Sequence, residues 1–554
     1  MFSILNTFVE KIYKRISFLF FIVSLLAVSA CDSDYLTEYP TDSLSEGTFW
    51  QTESDANLAL TGCYEVNIGN SHNDFTGWSS GIPYTSQWTN LSRHKQPAST
   101  IWSIGTNYDA TEARLAERWS FNYTKISRCN YFLENIDNVE MDDTDRAEMI
   151  AEVKFIRAYC YFLLYQVYGG VPKVTTVLDF DEANTISRSS REEIVTLVKT
   201  DLSEAIPDLP ISRSSSETGR IEKGAALALQ GRVLMGEEEW TEAAATYETI
   251  MDLNRYEIDS RYKEVFEDEG DDSDEIIWAL RYMQDVYGEG STQRNFLSSW
   301  YGGYTEMNIF QNVIDAYLMT DGLSIEESEL YDPENPFDNR DPRLYATILL
   351  PNYTYFYGEV FQGHPDSLAT RGTAYAGHTG YALKKFEDSG YLESGGDVTQ
   401  YGGDFKVFRY AEVLLSYLEC MIESDATITQ ALLDETINKV RDRAAVQMPH
   451  ITELDRDKLR TIVRSERLYE LGFEGIHYWD ILRWKTADEV VNGDFYGMKL
   501  TDDPDNYTGK YTINDEGHLY SCTKTWDFEA HDYLWPIPQT ELDINENLEQ
   551  NPGY

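Results

Sequence analysis

Basic residues are scarce in this chain: 45 Lys and Arg stand against 95 Asp and Glu, a formal net charge of −50. No acidic tail carries the excess, which is spread along the chain. Such a surface repels nucleic acid and anionic headgroups and argues against both as partners. Catalytic signatures are missing too. There is no His-Glu-x-x-His, no Gly-x-Ser-x-Gly, no phosphate-binding loop and no dinucleotide fingerprint. The eight histidines are scattered, and among 95 acids every carboxylate spacing arises by chance, so no pair singles itself out. An enzyme is not expected, nor a cofactor. The run Asp268 to Glu275 lacks the alternating ligands and central glycine of an EF-hand loop and reads as a solvated loop before a strand, not a metal site. Cysteine is sparse as well: Cys31, Cys63, Cys129, Cys160, Cys420 and Cys522 show no C-x-x-C and no close pairing, which speaks against a disulfide framework and a zinc site. Cys129, Cys160 and Cys420 sit inside helical patterns among Tyr, Phe and Leu, where a thiol acts as a small hydrophobe.

Long apolar runs are also lacking, apart from Ile16 to Val28. Thirteen residues fall short of the roughly 20 a spanning helix needs. Lys11, Lys14 and Arg15 precede the run, and Val28-Ser29-Ala30-Cys31 closes it. A cysteine directly after small residues resembles the bacterial lipobox, in which the thiol is acylated and becomes the first residue of the mature protein. The expectation is a lipoprotein signal peptide over 1–30 and a lipid anchor on Cys31 as the sole membrane contact. Each buried CH₂ adds ~0.8 kcal/mol, so several chains on one residue hold firmly. Residues 31–554 are expected to form a single domain.

What is plentiful is apolar and aromatic: hydrophobic residues make up 42% and aromatics 14% of the chain, which excludes intrinsic disorder. Helical periodicity predicts helices over 111–137, about 145–168 (stopped by Gly169-Gly170 and Pro172), 189–206, 219–236 and from Trp240 onward. The pair within 219–252 has small residues at its crossing and a W-x-x-A-x-x-x-Y second helix, similar to a tetratricopeptide unit. Similar pairs are expected at 111–170 and 408–445, separate in sequence but adjacent in space. Residues 255–400 lose the helical period, with one strand over Glu275 to Tyr282. The fold class predicted is mainly α, tetratricopeptide-like helix pairs against a loop-rich insertion with little β structure.

Many Trp and Tyr lie in loops beside Gly and Asn. Trp78, Trp88 and Trp102 fall in the first long loop, and Trp300, Tyr301 and Tyr304 in another. A flat ring can pack on the apolar face of a sugar while neighbouring polar groups bond its hydroxyls. Trp88, Trp102 and Trp300 are the foremost stacking candidates, with Trp78, Tyr301 and Tyr304 behind them. The competing reading is that such aromatics pin the loop to the body. Trp119, Trp240 and Trp479, at helical spacing, are assigned to the core.

Several strings together resemble the SusD/RagB-type nutrient-binding lipoproteins. They are Tyr35-Leu36 and Pro40, Thr48-Phe49-Trp50 with Asp55-Ala56, and Ala151-Glu152-Val153-Lys154-Phe155-Ile156-Arg157-Ala158-Tyr159 leading to Tyr168-Gly169-Gly170-Val171-Pro172. Further blocks are Gly219-Arg220 with Lys223-Gly224-Ala225-Ala226, Asn339-Arg340-Asp341-Pro342-Arg343, and Tyr410-Ala411-Glu412-Val413-Leu414-Leu415. Glu466-Arg467, Glu470-Leu471, Phe473-Glu474-Gly475, Trp479-Asp480, Pro536-Ile537-Pro538 and Asn551-Pro552-Gly553-Tyr554 complete the set. The resemblance implies a cell-surface protein that captures oligosaccharides and passes them to a SusC-like TonB-dependent outer-membrane barrel, on which it sits as a lid. Oligopeptides as ligand, or a secreted glycoside hydrolase, stay open at this level. Within the motifs, Arg467, Glu474 and Asp480 are expected to form buried ion pairs rather than a catalytic site.

Overall fold

A computed structural model describes residues 49–64, 81–94, 109–286, 295–299, 302–356, 358–364, 379–500, 512–520 and 528–554. The signal segment and Cys31 lie outside the described residues. Helix makes up 48% of the structure and strand 8%, so the body is mainly α, as expected. Two compact units are distinguished. The smaller holds the described residues 49–58 with 135–141. Within it the Asp55 carboxylate accepts from the backbone N–H of Gln51 and Thr52 at 3.1 and 2.8 Å, closing the turn ahead of a helix. The other described residues belong to the larger unit.

The principal helices are α1 (Glu53–Tyr64), α2 (Ala113–Asn135), α3 (Asp143–Tyr168), α4 (Arg191–Ala205), α5 (Lys223–Gly236), α6 (Trp240–Asp252), α7 (Tyr410–Glu423), α8 (Arg456–Leu471) and α9 (His477–Arg483). Their ends follow from local chemistry. Asp142 caps α3 by accepting from Thr144 N–H at 2.8 Å, and the helix stops at Gly169, whose φ of +69° is open to glycine at no steric cost. Ser190 and Glu193 form a capping box on α4. Small residues bring α5 and α6 together: a Cβ on Gly231 would run into the Tyr247 ring. Helix α3 packs on α4, α4 on α5, α5 on α6, α6 on α7 and α7 on α8. The row continues from α6 to α7 although residues 253–409 lie between them, which is the adjacency predicted for tetratricopeptide-like pairs. Trp119 is buried, whereas Trp240, the first residue of α6, and Trp479 are half-buried rather than core. Cys63, Cys129, Cys160 and Cys420 are free and buried.

The described strands are short, and β2 to β7 fall within 255–400: β1 (Ser92–His94), β2 (Ile276–Leu280), β3 (Met307–Ile309), β4 (Ile348–Leu349), β5 (Tyr355–Phe356), β6 (Glu359–Val360), β7 (Ala382–Leu383), β8 (Phe405–Arg409), β9 (Tyr496–Lys499) and β10 (His518–Tyr520). They form an antiparallel four-stranded sheet in the order β1-β3-β7-β4 and three two-stranded ribbons, β2 with β8, β5 with β6 and β9 with β10. The Glu275–Tyr282 expectation survives as β2, trimmed at both ends.

Charge, not only apolar area, holds the larger unit together. Arg343, Arg409, Arg441, Arg443 and Lys385 meet Asp341, Glu275, Glu466, Glu470 and Glu474 in one buried cluster, five cations for five carboxylates. Glu470 is the hub, accepting from Arg343 at 3.1 Å, Arg409 at 2.7 Å and Arg443 at 2.8 Å. Burial alone would raise its pKa, but Arg443, Arg409 and Arg343 outweigh that and hold the carboxyl well below the usual range. A second cluster joins Arg467 to Asp480 at 2.8 and 3.0 Å and Arg483 to Glu419 at 2.7 Å. In a third, Glu152 takes Arg220 at 2.7 Å and Arg213 at 3.0 Å, with the Tyr64 hydroxyl donating to it. The expected roles of Arg467, Glu474 and Asp480 as buried ion-pair members therefore hold. The motif residues Glu152, Asp341, Arg343, Glu412, Glu466, Glu470 and Glu474 all turn out to be the polar side of the core, with Arg220 half-buried beside Glu152.

Candidate functional site

The two aromatic-rich loops, 74–108 and 296–304, are locked together at their stems. A 3₁₀ turn, Ile82–Trp88, leads into β1, and β1 pairs antiparallel with β3, His94 opposite Met307 and Ser92 opposite Ile309. The chain therefore leaves β1 at the same end of the sheet where residues 302–306 enter β3. Side chains reinforce the pairing. Asn295 Nδ2 donates to Tyr84 Oη at 2.7 Å, Gln87 Nε2 donates to the Glu306 carbonyl at 3.2 Å, and the Tyr84 and Phe296 rings lie 4.9 Å apart.

The second loop is also tied to itself. Thr305 N–H donates to the Leu297 carbonyl and Glu306 N–H to that of Asn295, both at 2.8 Å, while Ser299 N–H donates to Thr305 Oγ1 at 2.7 Å. Gly303 passes so close to the Leu297 carbonyl that any Cβ would collide with it. Leu297 is anchored in an apolar cluster with Leu349, Phe361, Ala382 and Leu392. Below, Gly475 at φ +83° lets the chain turn against Ile82, where a side chain would clash. The same turn, Phe473-Glu474-Gly475, delivers Glu474 to the ion cluster, so a structural motif also carries the loop stem.

Three ionisable groups lie beside these stems. His94 Nε2 and Glu306 Oε2 are 3.6 Å apart and buried. His477 faces Asn90 Oδ1 at 3.0 Å, and burial pushes its pKa down to about 4, so it is neutral at physiological pH and donates a hydrogen bond rather than a charge. Among the described residues no group of three His, Cys, Asp or Glu side chains is disposed to hold a metal ion. None of the described helices is long and apolar enough to cross a membrane.

Of the six sequence candidates, Trp88 must be corrected. It is only 4% exposed, with its ring 4.9 Å from Trp535, 5.3 Å from Tyr478 and 6.0 Å from the Arg118 guanidinium. An indole enclosed in this way offers no face to a sugar; it pins the loop stem to the C-terminal segment. Tyr304 is half-buried at the mouth of the second loop. Trp78, Trp102, Trp300 and Tyr301 lie outside the described residues. Sequence reading missed Tyr84, Gln87 and Asn295, the residues that join the loops. No local signal marks them, because the partners are 211 and 219 positions apart.

Comparison with known proteins places these features in context. Residues 274–554 match the SusD family, and residues 34–235 match a family described as starch-binding and associating with the outer membrane. A crystal structure of a SusD-like carbohydrate binding protein from Bacteroides fragilis is 35% identical, superposes with a TM-score of 0.83, and the match covers 91% of this chain and 100% of that one. SusD-like protein P25 of Formosa agariphila is 24% identical over 515 residues, spanning 87% of this chain and 91% of the relative. Surface glycan-binding protein A from Bacteroides fluxus, at 21% identity, shares the fold with a TM-score of 0.68 over 91% of this chain and all of its own.

Proposed function

Since the chain belongs to the SusD family, whose members bind without catalysing, we propose that it captures oligosaccharides at the cell surface and delivers them to a SusC-like TonB-dependent barrel in the outer membrane. The observation that carries this reading is the joining of two aromatic-rich loops at one end of a single sheet, with both stems fixed by buried hydrogen bonds. Bracing the described stems in this way fixes where both loops depart from the body. The carbohydrate named for the Bacteroides fragilis relative and the outer-membrane association named for the family matching 34–235 support the ligand class and the location.

Stacking falls to Tyr304, Trp102 and Trp300, with Trp78 and Tyr301 as flanking rings. A glycan array identifies the ligand class, and calorimetry on the soluble mature chain then measures Tyr304→Ala, Trp102→Ala and Trp300→Ala. Truncating a central aromatic anchor costs ~2 kcal/mol or more, about thirtyfold in affinity. If all three variants bind the array hit as tightly as wild type, the loop site is wrong; a hit among peptides alone replaces the ligand class.

The anchor is proposed to be acyl chains on Cys31, read from Val28-Ser29-Ala30-Cys31. Metabolic labelling with a palmitate analogue is expected to mark the wild type and to lose its signal in Cys31→Ala. Equal labelling of both proteins would remove the anchor.

A further inference from the structure

A second concave site lies between α2, residues 172–186 and the C-terminal stretch 541–548. Its volume is about 580 Å³, inside the ~300–1,000 Å³ of small-molecule sites, and none of its lining residues belongs to loops 74–108 or 296–304. One wall is a single face of α2, where Trp119, Tyr123, Thr124, Ser127 and Arg128 recur at helical spacing. Val174, Leu178, Asn184 and Ile186 stand opposite, and Glu541 and Ile544 line the C-terminal side.

The walls are fixed before any ligand arrives. Tyr123 Oη donates to the Pro172 carbonyl at 2.7 Å, and Asn130 Nδ2 to those of Val174 and Thr176 at 3.0 and 3.2 Å. Asn545 Nδ2 holds the Ile186 carbonyl at 2.8 Å. The Tyr123 ring is half-buried, so part of it faces the cleft.

The lining chemistry narrows the occupant. The Tyr123 ring with Val174, Leu178 and Ile186 supplies an apolar surface, while the Ser127 hydroxyl and the Asn184 amide supply donors and acceptors without formal charge, and the Thr124 hydroxyl, which donates to the Ser120 carbonyl at 2.8 Å, supplies an acceptor. Arg128, which donates one guanidinium N–H to the Gly62 carbonyl at 3.0 Å, adds a cationic donor to the α2 wall. Glu541, whose carboxyl burial pushes upward in pKa against the opposing hydrogen bond from Trp119, is a single acceptor rather than a cation site. An all-apolar ligand would bury these polar groups unpaired. A neutral molecule with one hydrophobic face and an edge of hydroxyls fits both surfaces.

We propose that this cleft is a second saccharide-binding site, taking one or two neutral sugar units, independent of the loop site. It stands or falls separately from the loop reading, since the two share no residue.

The test uses the mature chain with maltose, cellobiose, laminaribiose, xylobiose and mannobiose as probes, read by saturation-transfer NMR and calorimetry. Ser127, exposed on the α2 wall, is replaced by Trp to fill the cleft, and Asn184→Ala removes one amide from the opposite wall without adding bulk. At least one disaccharide is expected to bind wild type. Ser127→Trp is then expected to weaken it at least about tenfold and Asn184→Ala by about threefold or more. Thermal melts confirm that each variant is folded, and Asn184→Ala alone decides the matter if Ser127→Trp is not. Absence of binding by all five sugars overturns the proposal. So does binding that the cleft variants leave intact, including binding lost only in Tyr304→Ala.

Discussion

Glu470→Gln is expected to lower the unfolding free energy by about 3–5 kcal/mol, the usual cost of removing one partner from a buried ion cluster. The amide has the size of the carboxylate and still accepts one hydrogen bond, so packing hardly changes. What changes is charge: five buried cations would face four carboxylates, and Arg343, Arg409 and Arg443 would all lose their shared counter-ion. Urea unfolding should show a lower midpoint with an unchanged slope, since the surface exposed on unfolding is the same. A shift below about 1 kcal/mol would mean that the cluster is far more hydrated than its burial indicates.

The pH dependence has a definite sign. Glu470 and Asp480 both titrate below their unfolded values: burial works against this, but Arg443, Arg409 and Arg343 hold Glu470 down, and Arg467 and Arg483 hold Asp480 at about 2. Carboxyls depressed in the folded state stabilise fully above the unfolded range near ~4 and lose that contribution as pH falls through the folded values. The gap between wild type and Glu470→Gln should therefore stay constant at neutral pH and close only in strong acid.

Trp88→Ala is expected to cost about 3–5 kcal/mol of stability while leaving the ligand affinity of the folded fraction nearly unchanged. The substitution empties the space between Trp535, Tyr478 and Arg118. Melting temperature and calorimetric affinity, taken on the same preparation, distinguish this from a stacking residue, for which the affinity falls and the melt stays. A thirtyfold loss of affinity with an unshifted melt would restore Trp88 to the binding surface.

Helix positions were legible in the sequence wherever a local rule governs them. The stop at Gly169, the Ser190 capping box and the small-residue crossing at Gly231 are each decided within a few residues. The ion pairs of Arg467, Asp480 and Glu474 could be anticipated from the family motifs. Which charge meets which could not, because the hub at Glu470 gathers partners from positions 343, 409 and 443. The loop aromatics show the limit most plainly. Trp88 and Tyr304 both sit in Gly- and Asn-containing loops, and nothing local separates an indole sealed by Trp535 from a ring at a loop mouth. Trp240 and Trp479 fail in the opposite direction: helical spacing places them on the apolar side but does not say how far that side is covered.

The pairing of β1 with β3 has a consequence for the order of assembly. Strand 92–94 finds its neighbour only when 307–309 is available, and the indole of Trp88 only when Trp535 is. Asn551 then donates from its amide to the carbonyls of Tyr168 and Trp535 at 3.0 and 2.7 Å, fastening the end of the chain onto the first long helix pair. A polypeptide that emerges N-terminus first thus exposes the stem of its first aromatic-rich loop, without its strand partner, until nearly all of it has emerged. Such long-range closure is slow and leaves an aggregation-prone interval. The helices α3 to α6, whose contacts are local, can form during that interval, so the scaffold precedes the site it carries.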